Sequence, residues 1–126
     1  DMKSLDFSWM MERVERCQEQ IWEVSAQVLQ IGVNVVLDLG FTTRAQRKTF
    51  VDRAQALGWN AEIHYVTAPL ALRRTRVDNR NRTKDPRVYA FEVTKPMFDF
   101  MEPRFEPPTA LELEQGKTIE SIERED

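Results

Sequence analysis

The residues with the clearest chemical potential form a basic segment within an acidic chain. Residues 71–87 contain seven cations and two acids, a local charge of +5, whereas the whole chain of 126 residues carries −3. Within this segment Arg76 and Arg80 are four residues apart, so on a helix they share one face, and Arg73 lies on roughly the same face. The pattern predicts a local anion site. A solvated helix face rich in arginine is the alternative.

A carboxylate is predicted at the end of a buried strand. Residues 33–38 read VNVVLD, a β-branched and apolar run that predicts a strand buried on both faces and ending at Asp38. Because ligands of open α/β sheets gather at the carboxyl ends of strands, Asp38 is a candidate ligand-contacting residue, and Arg44 and Arg47 could face the same crevice. A solvent-exposed turn or a helix cap is the alternative for Asp38.

Periodicity and capping signals predict the elements that would position these residues. Thr43 and Gln46 form a capping-box pattern at the start of one helix, Pro69 falls in the first turn of another, and Thr94 can cap a short one. Residues 81–88 are polar and predict a mobile loop. The predicted elements are a helix over 8–31, a strand over 33–38, a helix from 43 to about 57, a strand over 61–67, a helix from 69 to about 82, a short helix after Thr94 and an edge strand over 118–122.

The alternation of strands and helices predicts an α/β fold with a parallel sheet. The two strands predicted over 33–38 and 61–67 cannot cover their own edges, so we expect this sheet to be incomplete and to need a strand from a missing N-terminus or from a second chain. We expect residues 1–108 to form this partial domain and residues 109–126 to form an acidic, peripheral tail.

The predicted first helix offers a different function. Its apolar residues recur at alternating steps of three and four, which also fits a short coiled coil. The alternative hypothesis is therefore a non-catalytic α/β interaction module that forms a homodimer through this helix and an exposed sheet edge. We expect Cys17, on the apolar face, to be a buried structural thiol.

The composition excludes several classes of protein and site. One cysteine and one histidine, His64, exclude an internal disulfide, a Cys-rich zinc site and a His-rich metal site, so no metal ligands are predicted. No apolar run approaches the roughly 20 residues that span a bilayer, and the first residues lack the apolar core of a secretion signal. We therefore expect a cytoplasmic protein without membrane contact. The charge of −3 argues against a dedicated polyanion binder.

Three blocks of sequence resemble the small ATP-binding P-loop kinases, the zeta-toxin and polynucleotide-kinase-like proteins that are often described as AAA-type ATP-binding domains. The blocks are VVLDLGFTTRAQR from Val35, HYVTAPLALRRTRVDNRNR from His64 and VTKPMFDFMEPRFEPP from Val93, and the likeness runs from about Trp9 to Pro108. The resemblance implies a P-loop-kinase-like parallel sheet with flanking helices and an arginine-bearing lid. It also implies ATP and Mg²⁺ as cofactors.

Residue by residue, the resemblance places Arg76 and Arg80 where the family has two lid arginines, with Arg73 nearby. Two guanidinium groups could clamp the triphosphate of ATP and stabilise charge during phosphoryl transfer. Asp38 corresponds to an acid close to the magnesium ion or the acceptor hydroxyl. The implied activity is transfer of the γ-phosphoryl group to a hydroxyl acceptor. A nucleic acid is expected as a partner only if the hydroxyl at its end accepts the phosphate.

The chain contains no GxxxxGK[ST] phosphate loop, which a P-loop kinase needs to hold ATP. The sequence Gly116-Lys117-Thr118 lacks the earlier glycine, follows acidic residues and is predicted to be a turn. The resemblance places the phosphate loop on the N-terminal side of Trp9. Since the chain also begins with Asp rather than Met, we expect a processed or truncated form that is inactive by itself.

Overall fold

The computed structural model describes residues 6–122 of the 126-residue chain. The chain divides into two compact units, Asp1–Gly40 and Phe41–Asp126. The described residues are mixed α/β, with four α-helices, one 3₁₀ turn and a two-stranded parallel sheet. The elements are α1 (Phe7–Gln30), α2 (Arg44–Ala56), β1 (His64–Thr67), α3 (Leu70–Thr83), α4 (Lys95–Met101), the 3₁₀ turn Glu102–Arg104 and β2 (Lys117–Glu120).

The long first helix is confirmed as α1. Asp6 caps it, because its carboxylate accepts hydrogen bonds from the backbone N–H of Ser8 at 3.1 Å and from the Ser8 hydroxyl at 2.8 Å. The apolar stripe of this helix is exposed: Val24 is 62% and Ile31 77% accessible. Cys17 is also exposed, so the expectation of a buried thiol is wrong.

The strand predicted over residues 33–38 is wrong. The segment has no strand structure, and the Val36 side chain is 95% accessible rather than buried. A strand needs a hydrogen-bonded neighbour, and among residues 6–122 the only strand pairing joins β1 to β2. The β-branched composition of this segment was therefore not sufficient to make it a strand.

The second helix is confirmed with its capping box. The Thr43 hydroxyl accepts from the Gln46 N–H at 3.2 Å, and the Gln46 side chain accepts from the Thr43 N–H at 3.2 Å. Phe50 and Ala54 of this helix are buried, whereas Leu57 is 53% accessible. Leu57 follows the last helical residue, where the chain has already left the helical path.

A buried ion pair joins α2 to the segment before β2. The Arg47 side chain is 4% and the Glu112 side chain 14% accessible, and the Arg47 Nε donates to Glu112 Oε1 at 2.8 Å. Arg47 also donates to the carbonyl of Phe41 at 2.9 Å. Its charge is thus satisfied within the second unit, which does not fit the expectation that it could face a ligand crevice.

The sheet is a parallel pair in the second unit. Its register aligns His64 with Lys117 and Thr67 with Glu120. The tail strand predicted over residues 118–122 is therefore present as β2, which begins one residue earlier and ends two residues earlier, and the strand predicted over 61–67 is present as the shorter β1. The neighbour of β1 is β2, however, and not the segment 33–38 that the strand–helix–strand pattern had predicted.

Gly116 shows why β2 begins where it does. A Cβ at this position would lie 2.0 Å from the carbonyl oxygen of Ile63, so only glycine fits against the start of β1. The next residue donates the first ladder bond, from the Lys117 N–H to the Ile63 carbonyl at 3.0 Å. Lys117 and Thr118 therefore lie in a strand, which corrects the prediction that the GKT sequence is a turn.

The third and fourth helices are confirmed. Pro69 directly precedes α3, and Lys84 ends it with a positive φ of 49°. The helix extends through Thr83, so the first residues of the loop predicted over 81–88 are helical. Thr94 caps α4 by accepting a hydrogen bond from the Met97 N–H at 3.4 Å.

We expect the Arg47–Glu112 pair to make the stability of the second unit depend on acid pH. Hydrogen bonds from the Arg47 guanidinium lower the pKa of Glu112 from 4.5 to about 2. The unfolded chain therefore binds more protons between these values, and the stabilisation present above pH 4.5 is lost as the pH falls towards 2.

Glu112→Gln should lower the free energy of unfolding at neutral pH by about 3 kcal/mol, because it leaves a buried guanidinium without its countercharge. Urea unfolding monitored by circular dichroism at several pH values measures this. Glu114→Gln, an exposed position in the same segment, is the matched control. Equal acid sensitivity in wild type and Glu112→Gln would contradict the assignment.

Candidate functional site

The basic helix α3 begins immediately beyond the carboxyl end of β1. Only Ala68 and Pro69 separate the last residue of β1 from Leu70, the first residue of α3. Because β1 and β2 are parallel, the carboxyl end of β2 lies at the same edge. Contacts from α3 to residues just after either strand therefore place its side chains at the edge where α/β sheets bind ligands.

Arg73 is bound to this edge and to an acidic partner. Its Nε donates to the carbonyl of Ala68 at 3.0 Å, and its two terminal nitrogens donate to the two carboxylate oxygens of Glu102 at 2.6 Å each. These hydrogen bonds lower the pKa of Glu102 and raise the pKa of Arg73. The charge of Arg73 is thus balanced by Glu102 in this structure. Phosphate binding by Arg73 stays a prediction, and it would require Arg73 to release Glu102.

Arg76 reaches the carboxyl end of β2. Its Nη2 donates to the hydroxyl oxygen of Ser121 at 2.9 Å, and Ser121 is the residue directly after β2. Arg76 is exposed to solvent. Its partner is neutral, so its positive charge is not compensated by this contact.

Arg80 lies one helical turn further along the same face of α3. It is exposed, and among residues 6–122 its guanidinium has no hydrogen-bond or ion-pair partner. The three arginines of the predicted site therefore differ in kind: one is paired with an acid, one with a hydroxyl, and one is open to solvent.

Further contacts attach α3 to α4 and to the chain before it. Arg74 donates to Asp99 on α4 at 3.0 Å, and Lys95 donates to the same carboxylate at 2.6 Å. The Lys95 hydrogen bond is the main cause of the lowered pKa of Asp99, with smaller contributions from the charges of Lys95 and Arg74. Near the other end of α3, the Asn81 side chain donates to the Val93 carbonyl at 2.7 Å and accepts from the Val93 N–H at 3.1 Å. These contacts hold α3 in a defined position within the second unit.

The structure places Asp38 in the first unit, in the exposed segment that follows α1. The three predicted arginines all lie on α3 in the second unit. A role for Asp38 beside a metal ion or an acceptor hydroxyl stays a prediction.

Sequence reasoning missed the partners of the arginines. Glu102 is 29 residues from Arg73, and Ser121 is 45 residues from Arg76. No local pattern connects residues at these separations. Ser121 also lies in the segment that composition alone had indicated to be peripheral.

No group of three or more His, Cys, Asp or Glu side chains that could hold a metal ion occurs within residues 6–122. Across the same residues, no helix is both long and apolar enough to cross a membrane.

We expect the Arg73–Glu102 pair to stabilise the junction of α3 and the 3₁₀ turn. Glu102→Gln removes the charge from a half-buried bidentate pair and should lower the free energy of unfolding by about 1 kcal/mol. Chemical unfolding at neutral pH measures this change. Glu92→Gln, an exposed glutamate in the loop before α4, should leave stability unchanged; an equal effect of the two substitutions would contradict the role of the pair.

Comparisons with known proteins identify the wider group to which this arrangement belongs. Residues 2–108 match the profile of the family described as AAA domain. No curated protein and no solved structure matches the chain. The match spans α1 to the 3₁₀ turn and includes Asp38 and all three arginines. The chain therefore belongs to the AAA domain family, a P-loop NTPase-like group of nucleotide-binding domains.

Proposed function

We propose that this chain carries the lid and the acceptor side of a P-loop kinase-like protein. The whole protein would transfer the γ-phosphoryl group of Mg-ATP to a hydroxyl acceptor, as in the zeta-toxin and polynucleotide-kinase-like proteins. The observation that carries the proposal is the Arg76 guanidinium, which contacts the residue after β2 with its charge uncompensated. A polyphosphate at the carboxyl edge of the sheet would contact the Arg76 guanidinium and that of Arg80, which lies one turn further along α3.

The residues of the site fit a nucleotide to different degrees. Arg76 uses one of its five N–H donors on a neutral hydroxyl, and Arg80 uses none within the described residues, so both can bind phosphate oxygens. Arg73 fits only if Glu102 is displaced. In the proposal Arg76 and Arg80 are the principal phosphate ligands, and Arg73 is a third ligand that becomes available when its acidic partner moves.

The proposed roles follow from the charge that develops during phosphoryl transfer. Mg-ATP would supply the phosphoryl group and a divalent cation. Arg76 and Arg80 would hold the transferring phosphates and stabilise negative charge on their oxygens. For Asp38, which lies in the first unit, the proposed role at the acceptor hydroxyl or the metal ion rests on the family resemblance alone. The acceptor is a small molecule or a nucleic-acid end.

The 126 residues contain no glycine-rich phosphate loop, so we propose that they bind ATP weakly and do not turn it over by themselves. The anion-binding backbone of such a loop supplies much of the affinity for the β- and γ-phosphates. Tight binding of Mg-ATP by this chain in calorimetric titration would refute this part of the proposal.

We expect Arg76→Ala and Arg80→Ala each to weaken binding of Mg-ATP to the 126-residue chain by about tenfold, because each removes a charge-assisted hydrogen bond. Titration followed by NMR chemical shifts measures affinities in this weak range. Arg82→Ala is the matched control: it removes the same charge from the same helix on another face, where Arg82 contacts Asn79. If both variants bind like the wild type, or if Arg82→Ala weakens binding as much, the proposed site is wrong.

A second candidate function is self-association through α1. Its a- and d-type positions are apolar and largely exposed. Of the flanking positions in the C-terminal half of the helix, Gln18, Gln20, Ser25 and Gln27 carry no charge that would repel a second copy, and Arg13 is a charged flanking position nearer the start. The two-stranded sheet also has unpaired outer edges among the described residues. These features favour a homodimer, which is compatible with nucleotide binding.

We expect light scattering at several concentrations to show a mass that rises from monomer to dimer, and Val24→Glu to abolish the rise, because a carboxylate in the apolar stripe opposes burial. Gln30→Glu adds the same charge on another face of α1 and should leave association intact. A wild-type monomer at every concentration would exclude this candidate.

A further inference from the structure

We propose that Ser121 is a positioning residue for Arg76, so that the segment after residue 108 takes part in nucleotide binding. This inference rests on the proposed function, since it assigns how one of the phosphate ligands is held. Ser121 lies outside residues 2–108, the part of the chain that matches the AAA domain family. The positioning role of Ser121 is therefore argued from its own hydrogen bonds to Arg76 and Thr67.

The backbone of Ser121 is fixed by the sheet. Its N–H donates to the carbonyl of Thr67, the last residue of β1, at 2.8 Å, which continues the ladder one step beyond β2. The Ser121 hydroxyl therefore has a defined location at the carboxyl edge. The Arg76 guanidinium, 2.9 Å away, is tied to that location.

The chemistry of the contact leaves Arg76 able to bind an anion. A serine hydroxyl accepts one hydrogen bond without adding negative charge, and four guanidinium donors remain. Glu102 has the opposite effect on Arg73, because its carboxylate occupies both terminal nitrogens and neutralises the charge. On the same face of α3, Arg73 is thus paired with a carboxylate, whereas Arg76 is oriented by a neutral hydroxyl that leaves its charge uncompensated.

Orientation of a long side chain before binding increases affinity. A free arginine loses side-chain rotamer freedom when it binds phosphate, and a hydrogen bond that already restricts the guanidinium reduces this cost. We expect the restriction by Ser121 to strengthen triphosphate binding about fivefold.

The segment that presents Ser121 is built into the second unit. Glu112 pairs with buried Arg47, Gly116 lies against the Ile63 backbone, and β2 pairs with β1. These anchors keep Ser121 at the sheet edge independently of Arg76. The hydroxyl can therefore act on Arg76, and its removal is not expected to unfold the strand.

The test compares variants of Ser121 in the 126-residue chain titrated with Mg-ATP and with inorganic triphosphate. Ser121→Ala should weaken binding about fivefold, and Ser121→Thr, which keeps the hydroxyl, should restore it. Ser121→Asp should weaken binding more than Ser121→Ala, because a carboxylate would neutralise Arg76 as Glu102 neutralises Arg73. Thr118→Ala removes a hydroxyl from within β2 and should leave affinity unchanged.

A double-mutant cycle separates positioning from a merely structural effect. If Ser121 acts through Arg76, Ser121→Ala should have no further effect on affinity in the Arg76→Ala background. Equal effects in both backgrounds, or wild-type affinity in Ser121→Ala, would overturn the inference. If Arg76→Ala weakens binding and Ser121→Ala does not, this inference alone is wrong. If Arg76→Ala has no effect, the proposed function is wrong as well.

Discussion

The parallel pairing of β1 with β2 is the constraint on which the candidate site depends. Two strands that are 53 residues apart in sequence lie side by side in the same direction, so that their carboxyl ends meet at one edge. The chain turns into α3 directly after β1, and Ser121 follows directly after β2. Without this ladder, Arg76 would have no fixed partner and the basic helix would have no defined relation to a ligand-binding edge.

Two other contacts support this pairing from within the second unit. The Arg47–Glu112 pair attaches the segment before β2 to α2, and both members are largely buried. Glycine at position 116 allows the chain to approach the start of β1 closely. Side chains of α3 also donate hydrogen bonds to the chain around α4, at Glu102, Asp99 and the Val93 carbonyl.

The arginines of α3 illustrate how tertiary contacts divide the roles of similar residues. Arg73, Arg76 and Arg80 recur at steps of three and four and are equivalent on a helical projection. In the fold, Arg73 pairs with a carboxylate through two hydrogen bonds, Arg76 donates to a single hydroxyl, and Arg80 is exposed to solvent. We propose the two arginines whose charge is uncompensated, Arg76 and Arg80, as phosphate ligands of this member of the AAA domain family.

The amino-acid sequence by itself determined the helices and the face that the three arginines share. Each helix cap acts within a few residues of the backbone groups that it satisfies, so it can be predicted without knowledge of the fold. This applies to Asp6 of α1, the Thr43–Gln46 capping box of α2 and Thr94 of α4. The strands were predicted less well, because a strand exists only through a partner. Residues 33–38 have strong β-propensity but no partner among the described residues, whereas residues 117–120, of which only Ile119 is apolar, pair with β1. Only the tertiary structure decided which arginine keeps its charge available, because the carboxylate and the hydroxyl that distinguish them come from 29 and 45 residues away.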